Sequence, residues 1–291
     1  MTFDELSHHI SQTQSYLCVG LDSDPEKIPP HLHTSANPVL DFNRRIIEAT
    51  AEHCVAYKLN TAFYEAQGAA GWTTMQKTLE LIPKDKFVIA DAKRGDIGNT
   101  VHQYAKAFFE HLTFDAITVA PYMGEDSVLP FLQYKDKWVI LLALTSNTSA
   151  STFQMLQMNP EENGFLHEDQ NLLHNGNQEY LFERVIKSSQ DWGSKSHIMY
   201  VVGATKADKF KKIRQLAPEH FLLVPGVGSQ GGDLEELSRF GLNQYGGLLV
   251  NVSRGIIFAS EGEDFAEAAQ IKAQEIHEAM KIYLKKYTQS V

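Results

Sequence analysis

Two carboxylates and one ammonium group fall within six residues of this sequence, in the segment Asp91-Ala-Lys93-Arg-Gly-Asp96. The segment follows the apolar run Phe87-Val-Ile-Ala, which is typical of a buried strand. Because alternate side chains of a strand share one face, we expect Asp91 and Lys93 to project together from the end of that strand, with Asp96 in the loop beyond it. Charges placed this closely are costly and concentrate where chemistry needs them. The segment is therefore the first candidate for an active site.

Charged side chains also end the two apolar runs that precede this one, at Asp22 and at Lys58. If the three runs form neighbouring strands, these residues join Asp91 and Lys93 in an alternating array of charges. Each residue also has a structural explanation. Asp22 could start a turn, Lys58 could be solvated at a strand end, and Asp91 with Lys93 could form a structural ion pair. Asp96 could cap the helix that follows.

Glycine-rich turns follow the last two apolar runs of the chain. They read Pro225-Gly-Val-Gly-Ser-Gln-Gly-Gly and Asn251-Val-Ser-Arg-Gly. Exposed backbone N–H groups ahead of a helix favour a phosphate, to which Gln230 would add a neutral donor and Arg254 a counter-charge. The glycines of this predicted phosphate loop are Gly226, Gly228 and Gly231. A merely flexible loop is the alternative.

Eight short, nearly all-apolar runs, each followed by a helical pattern, predict an α/β protein with a closed parallel (β/α)8 barrel. An open, doubly wound sheet is the alternative. We expect one barrel domain over residues 1–291, with a polar lid or insertion at 145–177 after the fifth strand. The predicted strands are 16–22, 54–60, 87–93, 115–120, 138–144, 198–203, 221–225 and 247–251. The predicted helices are 3–14, 39–53, 72–82, 100–112, 126–134, 179–192, 206–216, 233–240 and 264–287, and the Pro-rich segment 24–38 is expected to be irregular.

The composition excludes several classes of protein. With a formal net charge of −10 and no extended basic run, a nucleic-acid partner is not expected. The first residues carry acids where a signal peptide carries bases, and no apolar run reaches membrane-spanning length, so we expect a cytoplasmic protein.

Cys18 and Cys54 are expected to be reduced packing residues. The twelve histidines lack metal-ligand spacing at the strand ends, and no serine lies on a nucleophile elbow, so neither a metal site nor a Ser/His/Asp triad is predicted.

These motifs together resemble those of the orotidine 5′-monophosphate decarboxylase family. The matches are Asp91-Ala-Lys93-Arg-Gly-Asp96, Leu21-Asp22, Tyr57-Lys58-Leu-Asn, the phosphate loop, and Val252-Ser-Arg254-Gly-Ile. The matches extend from the first to the eighth predicted strand. Their sequences are closest to those of the longer bacterial branch of the family. The resemblance implies a homodimeric barrel that converts orotidine 5′-monophosphate to uridine 5′-monophosphate and carbon dioxide, the last step of de novo pyrimidine synthesis, without a cofactor.

The resemblance also implies a role for each residue of the catalytic end. Lys93 would donate a proton to carbon 6 of the pyrimidine, with Asp91 beside the departing carboxylate and Lys58 hydrogen-bonded to Asp91. Asp96 and Thr100 would reach into the site of the partner subunit.

The remaining roles concern substrate binding. Asp22 and Lys58 would hold the ribose hydroxyls, Gln230 and Arg254 would bind the phosphate, and Ser146 would contact the pyrimidine. Many members of the family follow that serine with a short Pro-Gly turn, whereas here Ser146 opens the long insertion. Which residues of the insertion close over the base is left open.

Two other functions are compatible with parts of the pattern. A magnesium-dependent sugar-phosphate decarboxylase or aldolase of the same barrel superfamily shares Asp-x-Lys-x-x-Asp, but it needs an acidic metal ligand where this chain has Lys58, and an ammonium group repels magnesium. A non-catalytic barrel that binds pyrimidine nucleotides would keep the phosphate loop, but would not need the array of Asp91, Lys93 and Asp96.

Overall fold

The computed structural model describes residues 1–158, 179–227 and 232–288. Within these ranges, eight parallel strands close into a barrel in the order β1-β10-β9-β8-β5-β4-β3-β2. The strands are β1 Leu17–Gly20, β2 Ala56–Asn60, β3 Phe87–Arg94, β4 Ala116–Val119, β5 Trp138–Leu144, β8 Ile198–Val202, β9 Leu222–Pro225 and β10 Leu248–Val252. The predicted fold class is confirmed, and the open sheet is excluded.

The apolar runs form these strands because a barrel strand is covered on both faces, by the other strands inside and by helices outside. In β5 every residue except Leu142 is buried, and all residues of β8 and β10 are buried. Polar side chains therefore concentrate at the strand ends. The carboxyl ends of all eight parallel strands meet at one rim, which we call the mouth of the barrel.

Helices surround the barrel. Their bounds are α1 Phe3–Thr13, α2 Pro38–Thr50, α3 Thr61–Glu65, α4 Gly68–Leu81, α5 Gly98–Ala105, α6 Leu129–Leu132, α7 Leu181–Ser189, α8 Ala207–Leu216, α9 Leu234–Gly241, α10 Arg254–Ile257 and α11 Phe265–Tyr287. Helix α1 closes the end of the barrel opposite the mouth, where Phe3 packs on the rings of Trp138 and Phe221. No helix in the described ranges has the length and apolar character that a membrane span requires.

Several helix predictions were wrong in detail. The predicted helix 100–112 begins at Gly98, and its second half is a π-helix, Lys106–His111. The wider π turn allows the consecutive side chains of Phe108 and Phe109 both to be buried. In the predicted helix 126–134, the α-helical part is only α6, because Pro130 lacks the N–H that would extend the helix toward the amino end.

Two further predictions of secondary structure were also wrong. The segment 24–38, expected to be irregular, contains the 3₁₀ helix Pro30–Thr34. The predicted helix 179–192 begins at Leu181, because Glu179–Tyr180 is a short strand, β7, paired antiparallel with β6, Gln157–Met158. The insertion predicted at 145–177 thus departs from β5 through the 3₁₀ helix Thr148–Thr152 and β6, and the chain returns in β7. Its residues 159–177 lie outside the described residues.

Candidate active site

Lys58 lies at the centre of the charged cluster in the mouth. It is the third residue of β2, and only 4% of its side chain is exposed. Its Nζ lies 2.9 Å from Oδ2 of Asp91 on the neighbouring strand β3 and 3.4 Å from Oδ1 of Asp22, which follows β1. The structure therefore brings together three of the side chains predicted from separate strand ends. A buried ammonium group is tolerated here because two carboxylates accept its hydrogen bonds.

The pKa values of this cluster reflect mutual stabilisation of charge. Burial alone raises the pKa of Asp91, but the ammonium groups of Lys58 and Lys93 outweigh burial and hold that pKa well below its usual range. Burial lowers the pKa of Lys58, but the carboxylates of Asp91 and Asp22 outweigh it and raise that pKa above its usual range. Both Asp91 and Lys58 are therefore charged at neutral pH.

Lys93 is the exposed member of the cluster. Its Nζ lies 2.6 Å from Oδ1 of Asp91, while half of its side chain is exposed toward the mouth. Its backbone has φ of +47°, in the left-handed region that side chains other than glycine rarely adopt. The pairing of β3 with β4 is irregular between Ala90 and Arg94, so Lys93 lies in a bulge. Bulges of this kind re-aim a side chain, and here the ammonium group is directed at Asp91 and at open space.

Thr118 of β4 completes the cluster, and sequence reasoning missed it. Its hydroxyl accepts a hydrogen bond from the backbone N–H of Lys93 at 2.9 Å and donates one to Oδ1 of Asp91 at 3.1 Å. The residue is 1% exposed. Its only signal in the sequence is a lone hydroxyl within the apolar run Ala116-Ile-Thr-Val, in a strand whose neighbour carries the charges.

Asp96 and Thr100 lie at the edge of the mouth. Asp96 is partly buried, and its Oδ1 accepts a hydrogen bond from the N–H of Ile97 at 2.8 Å. Thr100 is exposed in the first turn of α5. Among the described contacts, neither side chain is bonded to Asp91 or Lys93 of its own chain. The structure therefore places these two predicted site residues on the surface beside the cluster.

The predicted phosphate end lies where β9 and β10 finish. Arg254 is exposed at the start of α10, directly after β10. Gly226 has φ of +101°, and its carbonyl accepts a hydrogen bond from the N–H of Gly232 at 3.3 Å, which closes the base of the loop. Three predicted residues of this loop lie outside the described residues: Gly228, Gln230 and Gly231.

Ser146 follows β5, on the side of the barrel away from β1. It is partly buried, and its backbone is packed against Gly203, which follows β8. A Cβ atom on Gly203 would lie 2.6 Å from Cα of Ser146, so only glycine fits there. Ser146 is thus held at the mouth by the ends of β5 and β8.

In the described portion of the chain, no group of three or more His, Cys, Asp or Glu side chains is arranged to hold a metal ion. The carboxylates of Asp22 and Asp91 converge, but the ammonium group of Lys58 lies between them. What this arrangement can do is hold a second ammonium group, that of Lys93, in a fixed position against a substrate.

A closed parallel barrel with its charged side chains at the carboxyl ends of the strands defines the class of (β/α)8-barrel enzymes. The sequence profile of the Orotidine 5'-phosphate decarboxylase / HUMPS family matches residues 15–269. The chain belongs to this family.

Close relatives support the same assignment. The orotidine 5'-phosphate decarboxylase of Bacteroides fragilis is 50% identical over 288 residues, which is 98% of this chain and 99% of that protein. The Porphyromonas gingivalis protein of the same name is 51% identical over 288 residues, 98% of each chain. The solved structure of Leishmania donovani OMP decarboxylase has a TM-score of 0.77 and 34% identity, and the match covers 97% of this chain and 100% of that one. The family resemblance seen in the sequence is confirmed.

Proposed function

We propose that this protein decarboxylates orotidine 5′-monophosphate to uridine 5′-monophosphate and carbon dioxide, the last step of de novo pyrimidine synthesis, in the cytoplasm and without a cofactor. One observation carries the proposal. The ammonium group of Lys93 is held 2.6 Å from the Asp91 carboxylate at the open mouth of a barrel of this family. Relatives at about half identity carry the name of this activity.

Lys93 is the group that meets the chemical difficulty of the reaction. Loss of carbon dioxide leaves an electron pair in an in-plane orbital at carbon 6, which the π system of the ring cannot delocalise. Stabilisation must therefore be electrostatic, and a preorganised charge costs no reorganisation when the electron pair forms. The Lys93 ammonium group stabilises that pair as it develops and then protonates carbon 6.

Asp91 and Lys58 maintain the charge pattern that this step requires. Because the pKa of Asp91 is held low, its carboxylate stays charged and keeps the ammonium group of Lys93 aimed. Its negative charge also opposes the carboxylate of the substrate, a repulsion that ends when carbon dioxide leaves. Lys58 on the other oxygen of Asp91 prevents Asp91 from taking up a proton instead.

The rest of the mouth binds the nucleotide. Arg254 and Gln230 bind the phosphate, Asp22 and Lys58 hold the ribose hydroxyls, and Ser146 contacts the pyrimidine. Since the phosphate does not react, its binding energy serves to order the site around the base. Residues 145–177 are assigned as one lid or insertion within a single barrel domain over 1–291. Gly226, Gly228 and Gly231 are assigned to the phosphate loop.

The site is completed by a second copy of the chain. Asp96 and Thr100 enter the site of the partner subunit, where Asp96 contacts Lys93. Exposed apolar side chains beside Asp96 support such a contact, because Ile97 is 54% exposed and Met123, whose side chain lies against Gly95, is 47% exposed. An exposed apolar surface of this kind beside a charged site marks an interface. A homodimer would bury it.

An absorbance assay tests the function directly. Purified protein is mixed with orotidine 5′-monophosphate, and the loss of pyrimidine absorbance is followed with and without a chelator. We expect turnover that resists the chelator. Chelator-sensitive turnover of a sugar phosphate would support the magnesium-dependent sibling activity instead, and nucleotide binding without turnover would support a non-catalytic barrel.

A further inference from the structure

Arg94, the residue after Lys93, is fixed on the outer side of the barrel. Its side chain is 20% exposed, and its Nη2 forms an ion pair with the carboxylate of Glu65 at the end of α3. Its Nη1 donates to the carbonyl oxygen of Ala92 at 2.9 Å. The guanidinium group therefore binds its own strand and the helix that follows the neighbouring strand β2.

Two aromatic rings also contact the guanidinium group. The ring of Tyr104, in α5, lies 5.4 Å from the guanidinium carbon of Arg94, and the ring of Phe108, in the π-helix, lies 5.5 Å from it. Cations at these distances are attracted to the faces of aromatic rings. Arg94 thus joins β3 to three helical elements at once. We call Glu65, Arg94, Tyr104 and Phe108 the outer clamp.

The backbone of Arg94 is fixed as well. Its carbonyl accepts a hydrogen bond from the N–H of Ala120 at 2.8 Å, and it pairs with Val119 of β4. Arg94 lies between Lys93, with its left-handed backbone, and Asp96 two residues later. A residue other than glycine stays in the left-handed region only where its surroundings determine the conformation. Arg94, which follows the bulge, is therefore held in place by both its backbone and its side chain.

We propose that the Glu65–Arg94 pair is a positioning device for catalysis, which holds the bulge of Lys93 and the start of the Asp96 loop from outside the barrel. The inference rests on the proposed function, since it assigns a purpose to the position of Lys93. Neither Glu65 nor Arg94 touches the substrate. Their effect passes through the backbone of the segment that they fix.

Steady-state kinetics on matched variants test the proposal. Arg94→Met keeps an unbranched side chain but removes the guanidinium fork, and Glu65→Gln keeps a hydrogen-bond acceptor but removes the charge. A misplacement of about 1 Å at a reacting group can cost about a hundredfold in rate, so we expect kcat of Arg94→Met to fall at least about tenfold. We expect KM and the Kd for uridine 5′-monophosphate to change by less than about threefold, because the phosphate end is untouched.

Further variants keep the test independent of folding defects. Arg94→Lys retains the charge and should recover part of the lost kcat. If Arg94→Met does not fold, Arg94→Lys and Glu65→Gln carry the test alone. Combining Glu65→Gln with Arg94→Met should add little to the loss caused by Arg94→Met, since both changes break one interaction.

The chain offers a closely matched control at the opposite end of the barrel. Lys195 forms an ion pair with Glu219 at 2.7 Å, and its Nζ lies 5.3 and 4.9 Å from the rings of Phe3 and Tyr245. Lys195→Met removes an ion pair and two contacts with aromatic rings, as Arg94→Met does. Lys195 lies in the segment that precedes β8, away from the mouth. It should lower thermal stability without lowering kcat.

The outcomes separate this inference from the proposed function. If the unmodified protein does not consume orotidine 5′-monophosphate, the proposed function fails and the positioning role fails with it. If the unmodified protein is active and Arg94→Met keeps its kcat, the positioning role alone is overturned, whatever the melting temperature. An equal fall in kcat for Arg94→Met and Lys195→Met would also overturn it. As a readout independent of activity, amide hydrogen exchange in residues 92–100 should increase in Arg94→Met and stay unchanged in Lys195→Met.

Discussion

The hydroxyl group of Thr118 joins the backbone of Lys93 to the carboxylate of Asp91. It accepts from the Lys93 N–H at 2.9 Å and donates to Asp91 Oδ1 at 3.1 Å. The same oxygen of Asp91 accepts a hydrogen bond from the ammonium group of Lys93 at 2.6 Å. Backbone, side chain and hydroxyl therefore form one closed ring of hydrogen bonds, which fixes the position of the ammonium group that is proposed to react.

Replacing Thr118 with valine keeps the shape of the side chain and removes the hydroxyl. A hydrogen bond to a charged group contributes about 1.5–3 kcal/mol, and about 1.4 kcal/mol corresponds to a factor of ten in rate. We expect Thr118→Val to lower kcat for orotidine 5′-monophosphate about tenfold, because the Lys93 N–H loses its acceptor and the bulge loosens. Nucleotide affinity, measured by titration with uridine 5′-monophosphate, should change little.

Two variants control this experiment. Thr118→Ser restores the hydroxyl and should recover most of the rate. Thr50→Val removes another buried hydroxyl, which bonds to Ile46 and Tyr57 on the outer layer, and should affect stability but not kcat. A Thr118→Val protein with an unchanged kcat would show that the ring of hydrogen bonds is not needed to aim Lys93.

The proposed sharing of the site predicts complementation between inactive subunits. Lys93→Ala should abolish turnover while nucleotide binding persists, and Asp96→Ala should lose most turnover because Asp96 is proposed to serve the partner's site. A heterodimer of the two variants has one site with both residues intact. After random exchange of equal amounts, we expect about a quarter of the activity of the unmodified dimer, since half of the dimers are mixed and half of their sites are intact. Activity that stays at background in a folded, exchanged mixture would argue that each chain supplies its own Asp96.

Much of the barrel and of its charged mouth could be predicted from local patterns. Apolar runs identify strands that are buried on both faces, and parallel strands place their carboxyl ends together. Asp22, Lys58, Asp91 and Lys93 were found in this way, and the structure brings Lys58 between Asp22 and Asp91 and Lys93 beside Asp91. The apolar runs alone were sufficient to locate these four residues, because each residue is the polar end of an otherwise apolar run.

The supporting contacts could not be predicted, because they depend on register and packing between distant segments. Thr118 is one hydroxyl in a strand, and only the irregular pairing of β3 with β4 turns it toward Asp91. Nothing local requires a left-handed backbone at Lys93. In the sequence Arg94 resembles a solvated charge, and only the packing of α5 and the π-helix shows that it is enclosed.

His220 should make the protein sensitive to mild acid. The residue is 7% exposed, and within the described residues neither ring nitrogen has a hydrogen-bond partner. Burial, and then the nearby charge of Arg214, lower the pKa of His220 to about 4. In the unfolded chain its pKa is about 6.5, so the unfolded state binds the extra proton between these values. The stabilisation is complete above about pH 6.5 and is lost as the pH falls toward 4, an effect of roughly 3 kcal/mol.

Urea unfolding at fixed protein concentration and at several pH values between 7 and 4.5 measures this effect. In His220→Phe the free energy of unfolding should fall less steeply with decreasing pH than in the unmodified protein. His33→Phe is the control for the substitution itself, because it replaces an exposed histidine by the same residue. Parallel curves for His220→Phe and the unmodified protein would rule out His220 as the source of acid sensitivity.

Arg214, near the end of α8, donates hydrogen bonds to backbone carbonyl groups in the segments that precede β9 and β10. Its guanidinium group donates to the carbonyl oxygens of Gly241 at 2.7 Å, Ala217 at 3.1 Å, His220 at 2.6 Å and Gly247 at 2.7 Å. A lysine ammonium group has three donors and no planar fork, so it cannot reach all four acceptors. We expect Arg214→Lys to lower the free energy of unfolding by about 2–4 kcal/mol, since hydrogen bonds from a charged donor contribute about 1.5–3 kcal/mol each and some are retained.

The effect of Arg214→Lys should be confined to stability. The four carbonyl groups lie where β9 and β10 begin, at the opposite end of the barrel from the mouth, so kcat measured well below the melting temperature should be unchanged. Arg239→Lys is a suitable control, because that arginine lies in the last turn of α9, against the ring of Phe240, and should change stability by less than about 0.5 kcal/mol. Equal stability losses in the two variants would show that the four carbonyl bonds add nothing beyond a surface charge.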